Sequence, residues 1–220
     1  MIAVRLVLGE EEVDRTIENA DTLLRRYRQD TGCYYLDHQP ITPQNRLVPE
    51  DIAVTLLMNS QAGWRAFRSL QLYGASIELD SLPSKSLEQT TPEERHQIKD
   101  VIVKMTGWPG FAASVATKVL HKKRPDLIPI LDNQAIFGAY MNPDWPERPA
   151  RSDSIKDGAL ILRALNLISH DLNREENRLS WRALQAIEPS RTMIQLFDSV
   201  WWMYFRATQP VSKPSAYLGS

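Results

Sequence analysis

Apolar residues recur at intervals of three and four positions along most of the chain, which predicts a mainly helical protein. Residues 2–8 are rich in Val, Ile and Leu, and they predict one short strand or an apolar arm. From Glu10 the pattern becomes helical, and Gly32 ends this first predicted helix. Its apolar stripe consists of Val13, Ile17, Ala20, Leu24 and Tyr27.

Capping residues and prolines mark where further helices begin. Pro49 opens one helix, because proline is tolerated in the first helical turn. A short helix is expected around Trp64, and Thr91-Pro92-Glu93-Glu94 is a capping box that starts a longer one. Further helices are predicted at residues 112–120, 155–172 and 190–206. Another helix, about nine residues long, is predicted to follow Asp132.

The connecting segments define the expected domain organisation. Residues 33–49 predict an ordered loop, and residues 74–90 predict a connection, because they contain Gly, Pro and several Ser. We expect one all-α domain of roughly seven or eight helices over residues 1–209. The proline-rich span 142–153 is a possible sub-domain boundary, and residues 210–220 predict a flexible tail.

Composition limits the classes of function. The 26 basic and 27 acidic residues give a net charge of −1, so any nucleic-acid site must be a local patch. Cys33 is the only cysteine, which excludes an internal disulfide and a cysteine-built metal site. The four histidines stand at no ligand spacing, so we predict no metal and no cofactor.

The same sequence favours a cytoplasmic protein. The first residues, MIAVRLVLGEEE, become acidic too soon for a signal peptide. No apolar run approaches the ~20 residues that are needed to cross a bilayer, so we predict no membrane partner. The sequence indicates nothing about the oligomeric state.

Candidate chemistry concentrates in residues 105–136, which combine a tight turn, a basic run and a lone carboxylate. The turn at Pro109-Gly110 precedes a helix whose first amides, with the helix dipole behind them, suit a phosphate. Small residues, including Ala112 and Ser114, keep that helix end accessible. The expected phosphate-contacting side chains are Lys118, Lys122 and Lys123.

These residues carry a resemblance to a known superfamily. The run Trp108-Pro109-Gly110-Phe111-Ala112, then Ala116, then Pro129-Ile130-Leu131-Asp132, resembles the helix-hairpin-helix motif and the following aspartate of the DNA glycosylases. The run from Lys123 to Asp132 also resembles a bacterial family of unknown function. The resemblance covers about 30 residues and extends to the rest of the chain only as architecture.

The resemblance implies a fold and a set of roles. It implies a helical domain that binds double-stranded DNA through the hairpin turn at Pro109 and Gly110. Asp132 corresponds to the catalytic aspartate, which stabilises positive charge on the sugar while a flipped base leaves. Bifunctional members place a Schiff-base lysine where this chain has Ala113 and Ser114, so the implied enzyme is monofunctional.

Three departures weaken the correspondence. Ala112 stands where the motif has its second glycine, and its side chain crowds the approach of a phosphate. One residue is inserted before Asp132, which could aim the carboxylate elsewhere. The chain also lacks the four cysteines of an iron–sulfur cluster.

Structural interpretations of the same residues stay open. Asp132 could be a helix N-cap, and the basic run 121–124 could be a solvated helix end. Trp108 and the aromatic residues of 201–204 could belong to the core, although the latter could also line a pocket. The polar-aromatic loop 34–38 could border a cleft.

Three functions therefore remain. The first is a DNA-binding protein related to the glycosylases, with base-excision activity. The second is a DNA-binding module that kept the hairpin and lost the chemistry, as Ala112 and the missing lysine suggest. The third is a helical interaction or oligomerisation protein, which the near-neutral charge favours.

Overall fold

The computed structural model describes residues 1–9, 13–29, 33–58, 62–142, 144–145 and 154–208, except the side chains of residues 33 and 34. These residues are mostly helical, and they include one short antiparallel sheet. Within these ranges, no helix is both long enough and apolar enough to span a membrane. The predicted boundary at 142–153 falls largely outside the described residues, and so does the predicted tail.

The α-helices account for most of the described structure. Their bounds are α1 Ala20–Gln29, α2 Cys33–Asp37, α3 Trp64–Tyr73, α4 Pro92–Thr106, α5 Ala113–Lys123, α6 Gly158–Asn173, α7 Arg178–Ile187 and α8 Met193–Thr208. A 3₁₀-helix covers Pro49–Met58, and a π-helix covers Asn133–Tyr140. Three shorter 3₁₀ turns lie within the connection predicted at 74–90.

The N-terminal region refines the predicted class: the protein is mainly helical, and the strand that was one interpretation of residues 2–8 is present and has a partner strand. Strand β1, Val4–Leu8, pairs with strand β2, Val13–Ile17, in an antiparallel hairpin where helix was predicted from Glu10. The segment Val-Asp-Arg-Thr-Ile has three β-branched residues, which favour a strand, and its burial alternates between partly buried and exposed positions before Ile17. Asn19 then adopts a left-handed backbone (φ 58°), and helix begins only at Ala20.

Other predicted elements are confirmed or refined. Thr91 and Glu94 form the predicted capping box, with both reciprocal hydrogen bonds present. Helix α2 lies inside the segment 33–49 that predicted a loop, and the helix expected at Pro49 is a 3₁₀-helix. The pattern also missed α7, which is short and buries mainly Trp181 and Leu184.

One continuous apolar core joins the two ends of the described chain. Helix α1 packs against α8, α4 packs against α6, and β1 lies against α6. Rings from the π-helix and from α8 form an aromatic cluster around Trp201, which contacts Tyr140 and Trp145 edge-on. Burial of such rings supplies much of the core stability and holds the π-helix against α8.

Asp171 of α6 fixes the strand β1 to the helical core. It is fully buried, and its carboxylate accepts hydrogen bonds from the backbone of Val7 (2.9 Å) and from the hydroxyl of Tyr140 (2.7 Å). Burial raises the pKa of Asp171 from 3.8 to about 6, although both hydrogen bonds stabilise the charged form. The folded protein therefore binds a proton at Asp171 more tightly than the unfolded chain does.

This shift predicts a pH dependence of stability. Because the folded pKa lies above the unfolded pKa, the contribution of Asp171 is greatest below pH 4 and is lost as the pH rises to about 6. D171N cannot titrate at this position. The difference in unfolding free energy between wild type and D171N should therefore change by on the order of 3 kcal/mol across that window. Urea unfolding of both proteins at pH 4 and pH 7 measures this difference.

A second variant tests the assigned cause. Tyr140→Phe removes the hydroxyl that donates to Asp171 and keeps the buried ring. Because that hydrogen bond favours the ionised carboxylate, its loss should move the pH window upward. A wild type–D171N difference that is constant from pH 4 to 7 would show that Asp171 does not titrate as described.

Candidate functional site

Helices α4 and α5 are joined by a tight turn at residues 107–112. Gly110 has a left-handed backbone (φ 85°), and Pro109 and Gly110 are exposed. The Ser69 hydroxyl of α3 donates to the Pro109 carbonyl at 2.8 Å, and a Cβ atom on Gly110 would lie 2.6 Å from the Ala66 nitrogen. The turn therefore packs against α3.

The start of α5 is partly engaged inside the protein. Its N-cap is Ala112, whose side chain offers no hydrogen-bond acceptor to the first amides. The Ala113 amide donates instead to the Ile155 carbonyl at 2.8 Å, and Ser114 is only 8% exposed. One of the amides expected to meet a phosphate is thus already paired within the chain.

Lys122 and Lys123 do not form the exposed basic patch that the sequence predicted. Both are buried, and the Lys122 ammonium donates to the Tyr35, Leu36 and His38 carbonyls at the end of α2. Its charge also lies 4.3 Å from the centroid of the Tyr35 ring. Burial, together with the nearby charge of Arg191, lowers the pKa of Lys122 from 10.5 to about 8, and the charge of Asp37 opposes that shift.

Lys123 forms a buried ion pair with Asp51 of the 3₁₀-helix. The Lys123 Nζ lies 2.7 Å from an Asp51 oxygen, and the two side chains are 0% and 2% exposed. Lys123 also donates to the Thr42 hydroxyl and the Pro43 carbonyl. Both lysines therefore hold the chain segment 35–51 against α5, and neither ammonium group is at the surface.

Lys118 lies one helical turn before Lys122 on α5 and lines a cavity. Its side chain is 5% exposed, and its Nζ lies 3.8 Å from the Asp132 carboxylate. Burial lowers the pKa of Lys118, and the charge of Asp132 opposes that shift. The Lys118 carbonyl accepts a hydrogen bond from the buried Tyr35 hydroxyl at 2.6 Å, which fixes this turn of α5.

Asp132 is the N-cap of the π-helix, as one interpretation of the sequence predicted. One carboxylate oxygen, Oδ1, accepts from the amides of Gln134 (2.9 Å) and Ala135 (3.0 Å). The other oxygen, Oδ2, is the one that faces Lys118. The capping bonds hold the side chain in place, and it remains 27% exposed.

The cavity beside Asp132 has a volume of about 330 Å³. Its walls come from α1, the 3₁₀-helix, α5, the π-helix and α8, so it is a tertiary feature. The lining residues are Tyr27, Leu57, Met58, Lys118, Ile130, Asp132, Ala135, Ile136, Asp198, Trp201, Trp202 and Arg206. This combination of apolar and aromatic walls with a few charged groups is typical of small-molecule sites.

A second carboxyl group, Asp198 of α8, completes the polar part of the cavity. It accepts a long hydrogen bond (3.4 Å) from the Ile130 amide. Burial raises the pKa of Asp198 well above its ordinary value of 3.8, and the hydrogen bond from the Ile130 amide opposes that shift. The cavity therefore combines two carboxyl groups in different environments, since Asp132 lies beside an ammonium group and Asp198 does not share that ion pair.

Sequence reasoning found part of this site. It singled out Asp132 and Lys118, and it allowed that the aromatic residues of 201–204 could line a pocket. It missed Asp198, although a lone acidic residue within the apolar helix α8 was a detectable signal. Within the described residues no cluster of His, Cys, Asp and Glu could hold a metal ion.

A comparison with protein families shows where the chain belongs. Residues 20–205 match the family of unknown function DUF6308. The chain is a member of the DUF6308 family. No curated protein matches it, and neither does any solved structure.

The DUF6308 match includes most of the site. Every residue that lines the cavity lies within the matched range except Arg206, whereas the β1–β2 hairpin precedes the range. The prediction that the chain resembles a family of unknown function is thus confirmed. The match carries no link between DUF6308 and the DNA glycosylases, and that relationship stays a prediction.

Proposed function

We propose that this protein binds DNA and removes a base by hydrolysing its N-glycosidic bond, with Asp132 as the catalytic carboxylate. The observation that carries the proposal is the position of Asp132. It follows the α4–turn–α5 hairpin, is held by two amides, and turns one oxygen toward a cavity of about 330 Å³. A flipped base would enter this cavity between Trp201 and Trp202 on one side and Lys118 on the other.

In the proposed reaction the bond between the sugar carbon and the base nitrogen breaks, and its electron pair stays with the base. The Asp132 carboxylate stabilises the positive charge that develops on the sugar. A water molecule then forms the new carbon–oxygen bond, and the proton that it loses neutralises the released base. Lys118 positions Asp132 through their ion pair, and because its side chain is buried it is not assigned as a surface phosphate contact.

Asp198, which accepts a hydrogen bond from the Ile130 amide and lines the same cavity as Asp132, supports the same chemistry. Because burial raises its pKa, it is suited to act as a protonated acid that donates a hydrogen bond to the departing base. Two carboxyl groups in unlike environments are a common basis for dividing the acid and charge-stabilising roles. The π-helix behind Asp132 adds support, since this rare geometry is frequent at functional sites.

The proposed DNA contact involves fewer residues than the sequence predicted. Pro109 and Gly110 are exposed at the turn, and Ala112 and Ser114 begin α5 beside them. Of these, Gly110 and Ala112 have backbone amides that could donate to a phosphate, whereas Pro109 has no N–H and Ser114 is only 8% exposed. Lys122 and Lys123 are not part of the proposed contact, because their ammonium groups are engaged inside the protein.

The test is base release from duplexes that carry uracil, alkylated bases or oxidised bases. Wild type should produce alkali-sensitive abasic sites on at least one substrate, and D132N should be at least ~100-fold slower. Asparagine is also a good N-cap, so D132N should keep the capping bonds and its thermal stability. This variant therefore separates the charge of Asp132 from its structural role.

The outcomes discriminate among the candidate functions. Release at equal rates by wild type and D132N would exclude Asp132 as the catalytic group. Binding without release on any duplex would indicate the non-catalytic DNA-binding module. The buried state of Lys122 and the internal pairing of the Ala113 amide favour the third function, an interaction protein, and no binding of DNA at low salt would support it.

A further inference from the structure

An aromatic and basic surface lies on the outer face of α3. Trp64 is 75% exposed and Phe67 is 44% exposed, although large aromatic residues are usually buried. Arg65 and Arg68 are exposed on the same helix, and α3 contains no acidic residue. We call Trp64, Arg65, Phe67 and Arg68 the α3 surface.

The α3 surface connects the two parts of the proposed site. On one side α3 supports the α4–α5 turn, through the contact between Ala66 and Gly110. On the other side α3 packs on the 3₁₀-helix, whose Leu57 is 40% exposed and also lines the cavity. A ligand that spans the turn and the cavity mouth would therefore pass over α3.

We propose that the α3 surface binds unpaired or unstacked nucleotides of DNA, by stacking bases on Trp64 and Phe67 and pairing phosphates with Arg65 and Arg68. The partner follows from charge and shape together. Two arginines without an acidic residue attract an anion, and exposed rings need a partner with flat faces. Nucleotides supply both, and bases in a fully paired duplex have no free faces to offer.

Local geometry agrees with this assignment. The Arg65 guanidinium carbon lies 5.9 Å from the centroid of the Trp64 ring, so charge and ring are presented together. The Arg68 Nη1 donates to Gln71 Oε1 at 2.6 Å, which steadies its guanidinium on the exposed face. The N-cap of α3 is Gly63, so the positive end of the helix dipole meets no capping side chain from that residue.

The inference rests on the proposed function for the class of partner, because a base-excising enzyme must expose a nucleotide. The inference adds that the unstacked nucleotides next to the flipped base would lie on the α3 surface. The two proposals can fail separately. Trp64-dependent binding without base release would keep this inference and reject the enzyme, whereas base release with affinity independent of Trp64 and Phe67 would do the reverse.

The experiment measures fluorescence anisotropy with three labelled DNAs: a single strand, a fully paired duplex, and a duplex with a short unpaired bulge. Wild type should bind the single strand and the bulge more tightly than the paired duplex. The W64A/F67A variant should lose at least ~5-fold in affinity for both. W64F keeps a ring and should lose less.

Salt dependence tests the arginines. For the single strand, R65A/R68A should reduce the slope of log affinity against log salt by ~1.4, since each phosphate contact contributes ~0.7. L179A is the matched control, because Leu179 is 73% exposed on α7, away from α3, and it should bind like wild type. Circular dichroism of each variant shows that it is folded.

Three results would overturn the proposal. One is equal affinity of wild type and W64A/F67A for the single strand. Another is a preference for the fully paired duplex that the double substitution does not change. The third is a self-associated wild type that W64A/F67A converts to monomer while DNA affinity stays constant, which would assign the α3 surface to a second copy of the chain.

Discussion

Replacing Lys123 with alanine is expected to destabilise the fold by about 3–5 kcal/mol, because it leaves the Asp51 carboxylate buried without its cation. The two side chains are 0% and 2% exposed, and their charged atoms lie 2.7 Å apart. Asp51 also accepts from the Thr42 hydroxyl and the Val48 amide, so it cannot turn outward without breaking these bonds. Urea unfolding at neutral pH measures the change.

Two further variants identify the cause of that loss. K85A removes one partner of an exposed pair, Lys85–Glu94, whose side chains are 37% and 24% exposed, and it should cost less than about 1 kcal/mol. The double variant K123M/D51N removes both charges and keeps similar volumes, so it should be more stable than K123A. Equal unfolding free energies for K123A and K85A would contradict the buried pair.

Replacing Gly110 with alanine is expected to destabilise the fold by about 2–5 kcal/mol. A left-handed backbone costs a non-glycine residue about 1–2 kcal/mol, and φ at Gly110 is 85°. The added Cβ would also lie 2.6 Å from the Ala66 nitrogen, and overpacking of this kind costs about 1–3 kcal/mol. Thermal or urea unfolding of G110A measures the sum.

Gly107 provides a control within the same turn. Its φ is −72°, a value that alanine adopts readily, and the nearest atom to a new Cβ is the Lys104 carbonyl oxygen at 3.4 Å. G107A should therefore be neutral or slightly stabilising. If G110A were as stable as G107A, the turn would not pack against α3 as described. G110A should also weaken any DNA binding that needs the turn.

Features that depend on neighbouring residues were predicted well. The capping box at Thr91–Glu94 and the N-cap at Asp132 involve hydrogen bonds across two or three residues, so their residue types are sufficient to indicate them. The closing helix α8 was also predicted, because its apolar residues recur over four turns.

Ambiguous periodicity explains the main error in the fold. Val13 and Ile17 are four residues apart, which suits one face of a helix, but Val13, Arg15 and Ile17 also share one face of a strand. Pairing with β1 decides in favour of a strand. This pairing cannot be seen in the pattern of residues 13–17 alone, because β1 is a separate segment of the chain. A segment of five residues contains too few repeats to distinguish the two periods.

The site shows the same division between local and distant interactions. The residue types around Pro109–Gly110 indicated a tight turn. Asp132 was singled out by its place in the run that resembles the glycosylase motif, and its place before a helix indicated the N-cap. The burial of Lys122 and Lys123 could not be predicted in this way, because their partners lie far away along the chain, such as Thr42 at 81 positions from Lys123. Asp198 likewise reaches the cavity only because α8 packs beside the π-helix. Helix ends and turns follow from short-range hydrogen bonds that a few residues encode, whereas burial, ion pairing and pKa depend on which distant segments pack together.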